Sequence, residues 1–302
     1  MGEYTSDHMA TVSGSRFCQQ SLRGELSCID ICHPDFSAAI LLQGAQLLSF
    51  APTGGSNWVW LSEQAEYRKG MSVRGGIPVC WPWFGNAAMN PPAVRASIAS
   101  SEPPAHGFAR SQDWQLHSLT ETDDTVEITL QFDVQASPLW QADASARLTF
   151  TLSATELTLA LTTTAADTAF VFSQALHTYF PTSDIQQTQI SGTDGCRYTD
   201  ALDNWQEKEQ SGDVSFTAET DRIYEVPAVL MLHTPEQTMS LGSNSRSAII
   251  WNPWIEKSQR LSQFADDAWQ RMFCVETANA LHDCVSLAAG ASATLIMSLR
   301  KA

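Results

Sequence analysis

The sequence predicts an all-β protein, a large antiparallel β-sandwich with a few short helices, and two observations carry that prediction. The first is a hydrophobic period of two. Val126, Ile128, Leu130, Phe132 and Val134 alternate with Thr125, Glu127, Thr129, Gln131 and Asp133. Such alternation describes antiparallel strands with one face on a core and one face wet. The second is the near absence of long amphipathic helical patterns. Many closely spaced strands with few helices favour a sandwich over a parallel α/β fold.

Taken in order, residues 1–16 form a polar lead, read as flexible. Residues 17–302 read as one β-sandwich domain, with no internal repeat, low-complexity linker or break in composition. After the strand at Val126, the alternation recurs at Leu148, Phe150 and Leu152, then at Leu157, Leu159 and Leu161. Only Ser153 to Thr155 separates these two runs, a hairpin spacing. Ala293, Leu295, Met297 and Leu299 close the chain in the same way. Ser62 to Tyr67 and Pro138 to Ala142 are each expected to make a short turn of helix. Gly70 to Ala109, Ser191 to Thr220 and Asn252 to Gln270 are irregular. They should be loops on a rigid scaffold, where sites usually sit.

Composition narrows the function. The 302-residue chain is 43% hydrophobic, enough for a core, and 17% charged, too little for disorder. Its net charge of −16, with only 17 Lys plus Arg, excludes nucleic acid and anionic lipid as main partners. An anionic substrate would need local arginines. The seven cysteines are odd in number and mostly in apolar contexts, which fits a reducing, cytoplasmic setting better than a disulfide framework. Cys28, Cys32 and His33 lack a second pair at ligand spacing, so no metal is expected. No stretch approaches a membrane span, and no apolar signal core is present. Met1-Gly2 with Ser6 matches a myristoylation pattern, read as chance.

The chemistry-bearing residues gather in the irregular stretches. VRGGIPVCWPWFG (Val73 to Gly85) and AHGFAR (Ala105 to Arg110) place Arg74, His106 and Arg110 among glycines and prolines. Glycine pairs let backbone approach a ligand, proline fixes φ, and guanidinium forks suit anionic oxygens. The plain alternative is that these arginines pin loops to carbonyl groups. His177 closes the apolar run FVFSQALHTYF, where a satisfied structural imidazole is the ordinary reading. Glu276, in RMFCVETAN, shares a face with Met272 and Cys274. A carboxylate there is costly unless paired with an arginine or functional. Asp221 precedes Arg222, so a surface ion pair is its simplest account. Trp81, Trp83, Phe84, Trp251 and Trp254 supply flat aromatic surface, for a sugar face or for plain packing. A glycine-rich phosphate loop opening a helix, GxSxG and HExxH are all missing.

The motifs RGGIPVCWPWFG, HGFAR, LHTYF, ETDRIY, WNPW and CVETAN, in that order, resemble the glucose-6-phosphate 1-epimerases of the aldose 1-epimerase superfamily. The resemblance implies a galactose-mutarotase-like supersandwich and a cofactor-free isomerase of phosphosugars, expected to act as a monomer. It implies His177 as general acid and Glu276 as general base. Arg74 and Arg110 would contact the phosphosugar, with His106 and Asp221 lining the sugar pocket. One departure is Ala105, where some members carry glutamine.

Three other functions fit the same residues. A noncatalytic carbohydrate-binding protein would use the aromatic wall and arginines without needing His177 and Glu276 together. A glycoside hydrolase would pair Asp221 with Glu276. A mutarotase of neutral aldoses would differ in lacking phosphate preference.

Overall fold

A computed structural model describes residues 10–12 and 14–302. Two large antiparallel sheets face one another. A nine-stranded sheet has at its centre the strands Thr125–Val134, Ala144–Ser153, Glu156–Ala165 and Ser292–Lys301. These are the strands read from the period of two. Leu148, Phe150, Leu152, Leu157, Leu159 and Leu161 are fully buried, as are Leu295, Met297 and Leu299. Each such leucine contributes roughly 1.5–3 kcal/mol relative to exposure. The expected hairpin is present, with Leu152 paired to Leu157.

Opposite lies an eight-stranded sheet. Its strands run in the order Gln206–Glu209, Arg197–Asp200, Thr220–Glu225, Ser247–Asn252, Met272–Asn279, Gln174–Leu176 and Val79–Cys80. Tyr179–Pro181 pairs beside Gln174–Leu176 on the same Met272–Asn279 strand. Tyr224, Ile250, Phe273 and Val275 join the leucines of the nine-stranded sheet in one buried cluster. The other face carries Ile223, Ile249, Trp251, Cys274, Ala175 and Cys80, a separate apolar cluster. The sandwich read from the sequence is therefore present, and the second face of this sheet is where the functional residues gather.

A five-stranded meander, Ala10–Thr11 through Gln46–Pro52, packs beside the sandwich. The sequence reading assigned residues 1–16 to a flexible lead. Within it, Ala10–Thr11 pairs with Gln19 and Gln20, and Val12 is buried. Residues 1–9, including the Met1-Gly2 pattern, lie outside the described residues. Cys28 is buried with Leu26 and Leu41, Cys32 is exposed, and His33 stacks on Phe36. All seven cysteines are free. No helix among the described residues is long and apolar enough to cross a membrane.

Two helical expectations fail. In 62–67 the Ser62 hydroxyl donates to the Gln263 carbonyl, and the Glu66 N–H donates to the Gln263 side chain. These tertiary bonds leave only one turn, Ala65 N–H to Ser62 carbonyl. In 138–142, Ser137 and Trp140 exchange backbone bonds while Trp140 inserts into the core, which bends the chain away from a helix. The α-helices are instead Pro92–Arg95 and Trp254–Ser258, inside segments read as irregular. The stretch from Ser191 to Thr220 also holds structure, the hairpin of Arg197–Asp200 with Gln206–Glu209. Apart from Tyr198, which packs on Tyr224, its residues are polar, so it has no hydrophobic alternation to read.

Candidate active site

The site is built on register. Leu176 pairs with Thr277, and Tyr179 pairs with Cys274. One register runs through both pairings, so His177 falls directly across from Glu276. His177 Nε2 lies 3.4 Å from Glu276 Oε1. His177 is 9% exposed and Glu276 2%. The ladder loosens at this point. The His177 N–H donates to the Pro78 carbonyl and the Thr178 N–H to the Leu176 carbonyl.

Burial dominates the electrostatics of the pair. It drives the Glu276 carboxyl well above the ordinary carboxyl range, helped by the Asp221 charge and opposed by Arg110. It drives the His177 imidazole well below the ordinary histidine range, reinforced by His106, Arg110 and Arg74. Both groups are pushed toward their neutral forms, which disfavours a fixed ion pair. Neither His177 Nδ1 nor Glu276 Oε2 has a hydrogen-bond partner among the described residues.

The loops around the pair are pinned by backbone geometry. Gly76 has φ +63, and a Cβ there would lie 2.1 Å from the Leu47 carbonyl oxygen. The neighbouring Gln46 amide donates to the carbonyls of Val73 and Gly75, so the meander holds the arginine loop on both sides of Arg74. Gly107, at φ +70, lies where a Cβ would meet the Trp81 carbonyl oxygen at 2.0 Å. His106 beside it is itself left-handed, at φ +65. We expect Gly107→Ala to cost about 1–3 kcal/mol of stability through this clash and the added strain. Urea denaturation of the variant checks it, and an unchanged midpoint would contradict the geometry.

Arg74, His106, Arg110 and Asp221 all reach this neighbourhood. Arg74 Nη1 donates to the Tyr179 hydroxyl at 3.2 Å, and its Nε to the Ser262 carbonyl at 3.4 Å. Arg110 Nη2 donates to the Ala105 carbonyl at 2.9 Å, so the position that departs from the motif serves through its backbone. The His106 ring lies 5.6 Å from that of His177. Its Nδ1 accepts the Gly85 N–H at 3.3 Å with Cys80 Sγ equally near, which leaves the Nε2 proton to donate. Burial, with Arg110 and Arg74, lowers its pKa to about 3, so the ring is neutral.

Asp221 does not pair with Arg222. Adjacent strand residues point to opposite faces, and Arg222 turns to the Tyr198 ring and the Tyr224 hydroxyl. Asp221 Oδ2 instead lies 3.5 Å from Lys257 Nζ, which also meets Glu219 Oε1 at 3.1 Å. Burial raises the Asp221 pKa while Lys257 holds it back. No local pattern marks Lys257, which comes from the short helix after Pro253. Two more residues escaped notice. Tyr179 stacks on His177 with ring centres 4.8 Å apart and planes within 8°. Trp60 also stacks on Tyr179, with ring centres 5.8 Å apart. Among the aromatic residues, Trp251 stands edge-on to His177 at 6.2 Å. Trp81 and Trp83 are core residues, fully buried, and Trp254 packs on Trp269. For these three the plain packing account holds.

No group of His, Cys, Asp and Glu among the described residues could hold a metal ion. A surface cleft of about 700 Å³ lies elsewhere, lined in part by Ser15, Arg16, His117 and Glu121. Glu121 there is already engaged by the Ser15 hydroxyl and the Arg16 and Phe17 N–H groups, leaving no acid–base pair.

A facing imidazole and carboxyl, flanked by guanidinium groups, can move one proton onto a substrate and another off it. The family model for aldose 1-epimerase matches residues 27–300. The chain belongs to the aldose 1-epimerase family. It is thus an isomerase acting at the anomeric carbon of aldoses, a mutarotase, as the motif resemblance implied. It is 33% identical over 264 residues to the Escherichia coli (strain K12) protein named "Putative glucose-6-phosphate 1-epimerase", covering 85% of this chain and 84% of that one. A plant relative from Cenchrus ciliaris with the same name is 27% identical over 273 residues, covering 85% and 77%. In fold it is similar to the crystal structure of a Salmonella typhimurium protein titled "putative mutarotase", with TM-score 0.86, 27% identity and 97% of each chain covered.

Proposed function

We propose that this mutarotase interconverts the α and β anomers of hexose 6-phosphates, chiefly glucose 6-phosphate. The observation that carries the reading is the buried His177–Glu276 contact with Arg74 and Arg110 beside it. The names of the relatives point the same way. In the proposed mechanism the sugar lies against both groups, its ring oxygen toward His177 and its C1 hydroxyl toward Glu276, and the Glu276 proton passes to His177. His177 donates it to the ring oxygen while Glu276 accepts the proton of the C1 hydroxyl, and the hemiacetal opens. Rotation about C1–C2 and the reverse transfers close the ring on the other face. Each transfer is worth roughly 10²–10⁴-fold. Arg74 and Arg110 hold the 6-phosphate, while His106 and Asp221 bind hydroxyls. We place the enzyme in the cytoplasm as a monomer, a setting its seven free thiols suit.

Magnetisation exchange between the anomeric protons of glucose 6-phosphate, with and without protein, tests the activity. No acceleration would leave a binding protein instead. The pH profile tests the pair. Activity needs one proton on two groups, so a bell-shaped kcat/KM is expected. The lowered His177 pKa puts the acid limb below the ordinary histidine value of 6.5. The raised Glu276 pKa puts the alkaline limb well above the ordinary carboxyl value of 4.5. Free glucose is the substrate to use, because the phosphate itself titrates near about pH 6. An acid limb above 6.5 would contradict the assignment.

A further inference from the structure

Tyr179 touches both halves of the site without any role in the proton transfers. Its ring stacks on two others, Trp60 at 5.8 Å and His177 at 4.8 Å. Trp251 stands edge-on to both Tyr179 and His177, at 6.1 and 6.2 Å. These rings hold the imidazole plane together with the Glu276 contact at Nε2, while its Nδ1 makes no hydrogen bond among the described residues. At the far end of the tyrosine, the hydroxyl accepts Arg74 Nη1 at 3.2 Å. A phenol that accepts one hydrogen bond still has its own proton to give. The main chain closes the same circuit. The Tyr179 N–H donates to the Gly76 carbonyl, the Trp60 N–H to the Tyr179 carbonyl, and the Gly76 N–H to the Trp60 carbonyl. The arginine loop and the catalytic strand thus meet at one side chain, itself only 2% exposed.

We infer that Tyr179 is a positioning residue that couples recognition of the anionic group at Arg74 to the orientation of the His177 imidazole. The inference rests on the phosphosugar reading above. When Arg74 engages the phosphate, the tyrosine hydroxyl fixes the direction of the guanidinium and offers its own O–H to the same anion. The ring keeps the imidazole aimed at the sugar oxygen. Recognition and catalysis then share one rigid element, and a small misplacement of either costs rate.

Two variants of the full chain separate the halves of this role. Tyr179→Phe keeps the stack and removes the hydroxyl. Its preference for glucose 6-phosphate over glucose, as a ratio of kcat/KM, should fall about 5–20-fold, entirely through KM for the phosphosugar. Its kcat should stay within about twofold of the parent, because the imidazole is still stacked. Tyr179→Leu should lower kcat about tenfold on both sugars. The phenylalanine variant decides the matter. If it keeps the parent preference, or loses rate on both sugars in proportion to a fall in melting temperature, Tyr179 is a packing residue and the inference fails. A parent enzyme that turned over both sugars equally would instead overturn the phosphosugar reading, and the coupling with it.

Discussion

Glu276→Gln is expected to slow anomerisation of glucose 6-phosphate by about 10²–10⁴-fold while leaving its binding within about twofold. The amide has the shape of the carboxyl it replaces, so the cavity keeps its volume. It still offers a polar atom to His177, but it cannot accept a proton from the C1 hydroxyl. The parent carboxyl is buried across from the imidazole at 3.4 Å, so no bulk water stands ready to substitute for it. Anomeric exchange measured by magnetisation transfer gives the rate, and calorimetric titration gives the affinity. A retained rate would remove Glu276 from the mechanism. Lost affinity together with a lowered melting temperature would make it a structural group.

Removing both guanidinium groups should have the second largest effect. Arg74 and Arg110 each spend one or two donors on the protein, on Tyr179 and Ser262 and on Ala105. A guanidinium has five N–H donors, so forks remain for phosphate oxygens. A charged hydrogen bond is worth about 1.5–3 kcal/mol, so Arg74→Ala alone should weaken glucose 6-phosphate binding about 10–100-fold. The double variant with Arg110→Ala should weaken it about 10²–10⁴-fold if the two act independently. Binding of free glucose should change less than about threefold. Equal losses for the two sugars would mean that the arginines only pin their loops, the ordinary alternative for both. The net charge of −16 sharpens the test, since the rest of the molecule repels the phosphate.

The sandwich was legible because half-buried strands write their burial into every second residue. Leu157, Leu159 and Leu161 are apolar for one reason, and they are all fully buried. The hairpin at Arg197 was not legible, because Tyr198 is its one apolar side chain and nothing in its sequence alternates. Pro138 to Ala142 misled because local propensity competes with the burial of one large ring, Trp140, and the ring wins. In the site, Glu276 announced itself as a carboxyl on an apolar face. His177 did not, because an imidazole in an apolar run has the same local signature whether it is structural or functional. The partnership of the two depends on a strand register between segments about a hundred residues apart, which no local pattern contains. Lys257 was invisible for a related reason. It reaches Asp221 only through the turn fixed by Asn252, whose amide donates to the carbonyls of Trp269 and Met272.

The imidazole and the carboxyl are set opposite one another by the register of paired strands. The arginine loop is bonded to the catalytic strand through the Pro78 and Gly76 carbonyls, whereas the HGFAR segment could be recut for other aldoses with the proton-moving centre left in place. A single residue inserted on either side of His177 would do the reverse. It would turn the imidazole toward the other face of the strand and bring Leu176 or Thr178 into its place. Diversity in this architecture should therefore accumulate as changed rims around an unchanged spacing.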